Sequence, residues 1–146
     1  MTEAIENSIQ FFEEDIKFLL KDKRKLRNWF RAAILEEGGR PGTLNFIFCS
    51  DSYLLNINTS YLNHNTLTDI ITFDLSEDNQ SVSGDIFISI ERVKENAKAF
   101  KITFPQELHR VLIHGILHLL GYKDKTPSQQ KEMRSKEDYY LSLLIN

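Results

Sequence analysis

Apolar residues follow two rhythms along the chain. Ser8 to Phe12 reads as a short strand with Ile9 and Phe11 on one side. Thr43 to Cys49 alternates and is rich in aromatic and β-branched residues, which also marks a strand. Asp69 to Leu75 and Gly84 to Ile90 read as two more, and the polar stretch between them, Ser76 to Ser83, is long for a tight hairpin turn. The helical rhythm begins at Asp22 to Glu37, where Leu26, Trp29, Phe30, Ala33 and Ile34 share one face and Gly38-Gly39 supplies the stop. Trp29 lies on that stripe, so core packing explains it. Ser50 or Asp51 can cap a short helix carrying Tyr53, Leu54, Leu55 and Ile57.

After Ile90 the pattern is helical to the end. Glu91 to Phe100 is one helix. Pro105 opens another, apolar most of the way round through Leu108, Val111, Leu112, Ile113, Ile116, Leu117, Leu119 and Leu120. A helix without a polar face is central and buried. Gly121 ends it, and Pro127 opens a last helix with Met133, Tyr140, Leu141 and Leu144 inward. This order predicts an α+β or α/β sandwich: a sheet of about four strands packed on the central helix.

Length and composition narrow the picture. A chain of 146 residues fits one domain spanning 1–146 and can bury a core without disulfides. Its single cysteine, Cys49, excludes a Cys-based zinc finger and suits a small buried hydrophobe in a reducing compartment. No apolar run approaches the roughly 20 residues that span a bilayer, and the acidic N-terminus carries no cleavable signal pattern. The expected location is cytoplasmic, with no membrane partner. A net charge of −3 argues against a protein that binds polyanions over its whole surface. One segment differs: Lys17 to Arg31 holds seven basic residues and one acid, Asp22. A solvated helix face is the ordinary explanation of such a run.

Chemistry concentrates in His114-Gly-Ile-Leu-His118-Leu-Leu-Gly121-Tyr-Lys-Asp124. Histidines at i and i+4 lie one above the other on a helix, with Cβ atoms about 5–6 Å apart, so both imidazoles can reach one ion. Gly121 can turn the chain back, and Asp124 can return as a third ligand or serve as a plain turn residue. The spacing HxxxHxxGxxD parallels the metzincin pattern, whose third ligand is usually His. Three protein ligands leave a fourth position open, as catalytic zinc sites do. In a zinc peptidase the residue after the first histidine is a glutamate base; here it is Gly115, so peptide hydrolysis is disfavoured. Glycine there leaves space for a bulky substrate such as a phosphodiester, or simply permits close helix packing.

The segment resembles the signature of the YbeY family of bacterial metal-dependent endoribonucleases, HGxLHLxGYDH. Leu55-Asn56, Tyr61 and Thr68-Asp69-Ile70-Ile71-Thr72-Phe73 resemble its LN…Y…TDVLSF segment. Gly84-Asp85-Ile86 resembles its GDI, and Met133 with Glu137 its C-terminal pattern. The resemblance runs from about Thr43 to Tyr139. It implies an α+β fold with the metal motif on a central helix, zinc as the cofactor, and rRNA and the small ribosomal subunit as partners. The implied role is single-strand endonucleolytic maturation of the 16S rRNA 3′ end and ribosome quality control. Four positions depart from the pattern. The family's third metal histidine falls on Asp124 and the preceding aspartate on Lys123; its cleft arginine falls on Leu62; the aspartate before the TD pair falls on Asn65. A carboxylate ligand is harder than imidazole and shifts preference towards harder ions.

The expected site is therefore His114, His118 and Asp124 on the metal, with Asp69 and Asp85 as candidate catalytic carboxylates. Thr68-Asp69 could equally be a strand start, and Asp85 could close a turn. Lys21, Arg24, Lys25, Arg27 and Arg31 are candidates for attracting an RNA backbone without reading its sequence. His109 points away from the histidine pair, and His64 reads as an exposed loop residue. The rival reading is a ribosome-assembly or RNA-binding factor in which the metal only ties the helix end to its loop.

Overall fold

A computed structural model describes residues 8–62, 67–78 and 80–144. The elements run β1 (Ile9–Glu14), α1 (Lys23–Glu36), β2 (Arg40–Cys49), α2 (Asp51–Leu62), β3 (Ile70–Asp74), β4 (Ser81–Ser89), α3 (Ile90–Phe100), α4 (Phe104–Leu119) and α5 (Pro127–Leu144). The four strands form one mixed sheet in the order β1-β2-β4-β3. β1 and β4 lie parallel to β2, and β3 returns antiparallel along β4. The fold is α+β.

Alternation along β4 builds two cores. Val82, Ile86 and Ile88 are buried against α1 and α4, together with Phe30, Phe46, Leu112 and Ile116. Ile71, Cys49, Leu54 and Ile57 form a smaller cluster under α2, with Phe73 and Phe87 packed on it. Trp29 is buried as its stripe predicts, and its indole N–H donates to the Tyr140 carbonyl at 2.8 Å. Cys49 is a buried free thiol, also as expected.

Boundaries move where local chemistry overrules the apolar pattern. β2 begins at Arg40, three residues early, because a bulge between Pro41 and Leu44 lets polar Arg40 and Pro41 still pair with β4. The short helix expected after Cys49 is α2, which runs on to Leu62; Ser50 caps it by accepting from the Tyr53 N–H at 3.1 Å. Ile90 opens α3 instead of closing β4, since the Ser89 hydroxyl accepts from the Arg92 N–H. α4 starts from a capping box in which Thr103 and Gln106 satisfy each other's backbone N–H groups, with Pro105 in the first turn.

Two glycines set how closely α4 approaches the sheet. A Cβ on Gly84 would lie 2.4 Å from the Phe73 carbonyl oxygen and 3.0 Å from a Leu119 methyl. A Cβ on Gly115 would lie 3.0 Å from both Ile70 and Ile86. Gly115 therefore faces the sheet. The sequence pattern left open whether it makes room for substrate or for packing, and the structure decides for packing.

Candidate metal centre

α4 carries both histidines at its C-terminal end. Gly121 (φ 107°) reverses the chain, and the Tyr122 N–H returns to the Leu117 carbonyl at 3.0 Å while the Gly121 N–H bonds the His118 carbonyl. The reversal lays Lys123 and Asp124 back over the helix end. Asp124 Oδ2 then sits 3.4 Å from His114 Nε2 and 3.3 Å from His118 Nε2. The imidazoles are 4.4 Å apart between centroids and nearly perpendicular, at 84°. Donor atoms of the three residues all lie within 4.8 Å of one another.

The other ring nitrogens explain the orientation. His114 Nδ1 lies 2.6 Å from Glu137 Oε2, and His118 Nδ1 lies 2.9 Å from the Tyr122 carbonyl oxygen. A carbonyl oxygen and a carboxylate can only accept, so each Nδ1 carries the hydrogen and donates. In the neutral rings both Nε2 lone pairs then face the Asp124 carboxylate. The three residues thus turn donor atoms on one another, a group that could hold a metal ion. Imidazole nitrogens held from behind by an acceptor, plus one carboxylate, are a donor set that zinc takes.

Glu137 is the residue that motif spacing does not reach. Its side chain is only 5% exposed and also accepts from Arg110 Nη1 at 2.8 Å. Burial works against its charge, yet the bonds from His114 and Arg110 hold its pKa below the ordinary glutamate value. Burial likewise opposes protonation of His114, and the Glu137 bond and charge prevail, raising its pKa. The available signal is an acid on the buried stripe Met133, Glu137, Tyr140, Leu144 of α5.

The donors open on a cavity of about 480 Å³ lined also by Asn58, Leu62, Thr68, Asp69 and the start of β3. Asp69 is thus brought to the metal donors, and burial raises its pKa. Asp85 is not. It sits between Gly84 and Ile86, which both face α4, so it takes the opposite sheet face, where it accepts from Asn45 Nδ2 at 3.0 Å. Strand alternation is the physical reason that Asp85, a candidate catalytic carboxylate in the sequence, does not line this cavity.

No residue of the basic segment lines this cavity. Arg27 is used by the fold: its Nε donates to the Ile9 carbonyl at 2.9 Å and its guanidinium lies over the Phe11 ring. Lys21, Arg24 and Lys25 are exposed on or before α1, and Arg31 is half-buried. His109 packs edge-on to Trp29, away from the pair. Leu62 stands at the cavity wall, where a family arginine would bring a charge. His64 and Asn65 lie outside the described residues.

Two histidines and a carboxylate at the end of a buried helix, in an α+β domain, form a donor set that could hold one metal ion. The family model described as endoribonuclease YbeY matches residues 8–144. The chain belongs to that family. It is 49% identical over 134 residues to an endoribonuclease YbeY from Amoebophilus asiaticus, covering 92% of this chain and 91% of that one. Another, from Flavobacterium psychrophilum, is 52% identical over 132 residues, covering 90% and 94%. A solution structure of a Thermotoga maritima protein aligns with a TM-score of 0.65 at 31% identity, covering 94% of this chain and 89% of that one.

Proposed function

We propose that this chain, working as one domain, is a metal-dependent endoribonuclease that cuts single-stranded rRNA. Its substrate is the 16S rRNA 3′ end on the small ribosomal subunit, its work includes ribosome quality control, and its compartment is the cytoplasm. Membership of the endoribonuclease YbeY family supports the reaction. Among the described residues no helix is long and apolar enough to cross a membrane.

The observation that carries this reading is the convergence of the His114, His118 and Asp124 donors at the mouth of a cavity, with the Asp124 side chain 40% exposed. A metal that merely tied the helix to its loop would be closed off by a fourth protein ligand. Among the described residues no fourth ligand joins these three, which converge at the mouth of the cavity. His114, His118 and Asp124 would hold the ion, and zinc fits their donor types. Bound there, a divalent ion supplies Lewis-acid polarisation of a phosphodiester and of the attacking water. Glu137 and the Tyr122 carbonyl hold the imidazoles in the ligating tautomer. Asp69, inside the same cavity, is the carboxyl placed to take or return a proton. Asp85 has no part in this reading. Lys21, Arg24, Lys25 and Arg31 act on RNA outside the cavity, through salt-sensitive backbone attraction.

Metal analysis of purified protein beside His118→Ala, followed by cleavage of a single-stranded RNA with added metals, tests the proposal. The wild type should hold one equivalent of ion and cleave, while His118→Ala should lose the ion and slow cleavage by more than about a hundredfold. Cleavage that survives in the variant would defeat the assignment.

A further inference from the structure

A second buried acid stands behind the metal donors. Glu37 follows α1, and its side chain is 11% exposed. Its Oε1 accepts from the Tyr122 hydroxyl at 2.5 Å. Its Oε2 accepts from Lys136 Nζ at 3.0 Å and from the Tyr140 hydroxyl. The end of α1, the turn after α4 and the middle of α5 therefore meet at one carboxylate. Lys136 Nζ also lies 5.7 Å from the centre of the Tyr122 ring. Burial disfavours the anion, but the two hydroxyls and the ammonium outweigh it and hold the Glu37 pKa below its ordinary value.

Tyr122 connects this cluster to the metal donors. Its hydroxyl is bound to Glu37, and its carbonyl accepts from His118 Nδ1 at 2.9 Å. Asp124 follows two residues later. One residue thus carries both the anchor and the acceptor. The turn cannot slide relative to α1 and α5 without stretching a bond to a buried carboxylate, which is stronger and more directional than apolar contact. An apolar residue at position 37 would leave the Tyr122 and Tyr140 hydroxyls without this acceptor.

We propose that Glu37 is a positioning residue for the metal centre: through Tyr122 it fixes the carbonyl that sets the His118 tautomer and places the loop that carries Asp124. The proposal rests on His114, His118 and Asp124 being the ligands.

Two measurements test it. The first is the Zn²⁺ affinity of the full, metal-stripped chain, read by competition with a chromophoric chelator. Glu37→Gln and Tyr122→Phe should each weaken Zn²⁺ about tenfold. Because they break one chain of contacts, the double variant should be little weaker than either single one. Trp29→Phe, which removes the indole bond to the Tyr140 carbonyl, should lower the melting temperature and leave Zn²⁺ affinity unchanged. The second needs no metal: ¹⁵N NMR of the His118 ring. The wild type should hold its neutral ring with hydrogen on Nδ1, and Tyr122→Phe should spread it over both tautomers. Zn²⁺ affinities within twofold of wild type, or a His118 tautomer unmoved by Tyr122→Phe, would overturn the proposal. If wild-type protein fails to take up Zn²⁺, the ligand assignment falls, and the ring tautomer, read in Glu37→Gln as well as Tyr122→Phe, still decides whether Glu37 positions His118.

Discussion

The two histidines of the candidate metal centre are supported from opposite sides by unlike devices. On the α5 side His114 meets a carboxylate, Glu137, itself bound by Arg110. On the turn side His118 meets only a backbone carbonyl, that of Tyr122, held in place at one remove by Glu37. An anion does two things for an imidazole: it fixes the ring and it makes the free nitrogen more basic. A carbonyl fixes the ring and adds little charge. Two residues of one type, one helical turn apart, are thus made into different ligands by what stands behind them.

Removing the charged support should have the larger effect. Glu137→Gln keeps an oxygen near His114 but loses the anion, and Zn²⁺ affinity should fall by between about 10-fold and 100-fold in the same chelator competition. A smaller loss than Glu37→Gln causes would reverse the ranking drawn here. The next effect is on stability. Gly84→Ala places a methyl against the Phe73 carbonyl and Leu119 beside the site, and should cost about 1–3 kcal/mol by denaturant unfolding. An unchanged midpoint would show that α4 does not need this close approach.

The turn side also predicts a pH signature. The folded-state pKa of Glu37 is depressed below its ordinary 4.5. Its contribution is therefore fully present above that value and lost as pH falls through the folded pKa. Wild type should exceed Glu37→Gln in unfolding free energy by a constant gap at neutral pH, and the gap should narrow in acid below pH 4.5. A gap that widens in acid would contradict a stabilised anion. The smallest effect is at Cys49, in the smaller core cluster under α2. Burial, with the charges of Asp51, Asp15 and Glu14, pushes its thiol up to about 12. Iodoacetamide at pH 8 should leave it unmodified in the folded chain and label it once the chain is unfolded.

Much of this was legible in the chain because it depends on short-range periodicity. Ile9 and Phe11, the α1 stripe through Trp29, and the all-apolar circumference of α4 each announce an element and its buried face. His114 and His118 are legible for the same reason, since four residues is one helical turn. Asp124 needed Gly121 to be read as a reversal, and the φ of 107° bears that out. Asp85 was misplaced because a GD pair at a strand start does not say which sheet face the acid takes. That depends on register with β2 and β3. Glu137 and Glu37 stayed hidden as supports because each acts across more than 20 residues of sequence, on partners that only packing brings near.

Sequence by itself determined the helix that presents two imidazoles on one face and the glycine that turns an acid back towards them, because both follow from backbone geometry within about ten residues. Only the tertiary structure decided which nitrogen of each ring faces the donors, which carboxylate shares their cavity, and what holds the returning loop. Those depend on hydrogen bonds between α4, α5 and the end of α1, and a directional bond exists only once its two ends have been packed within reach.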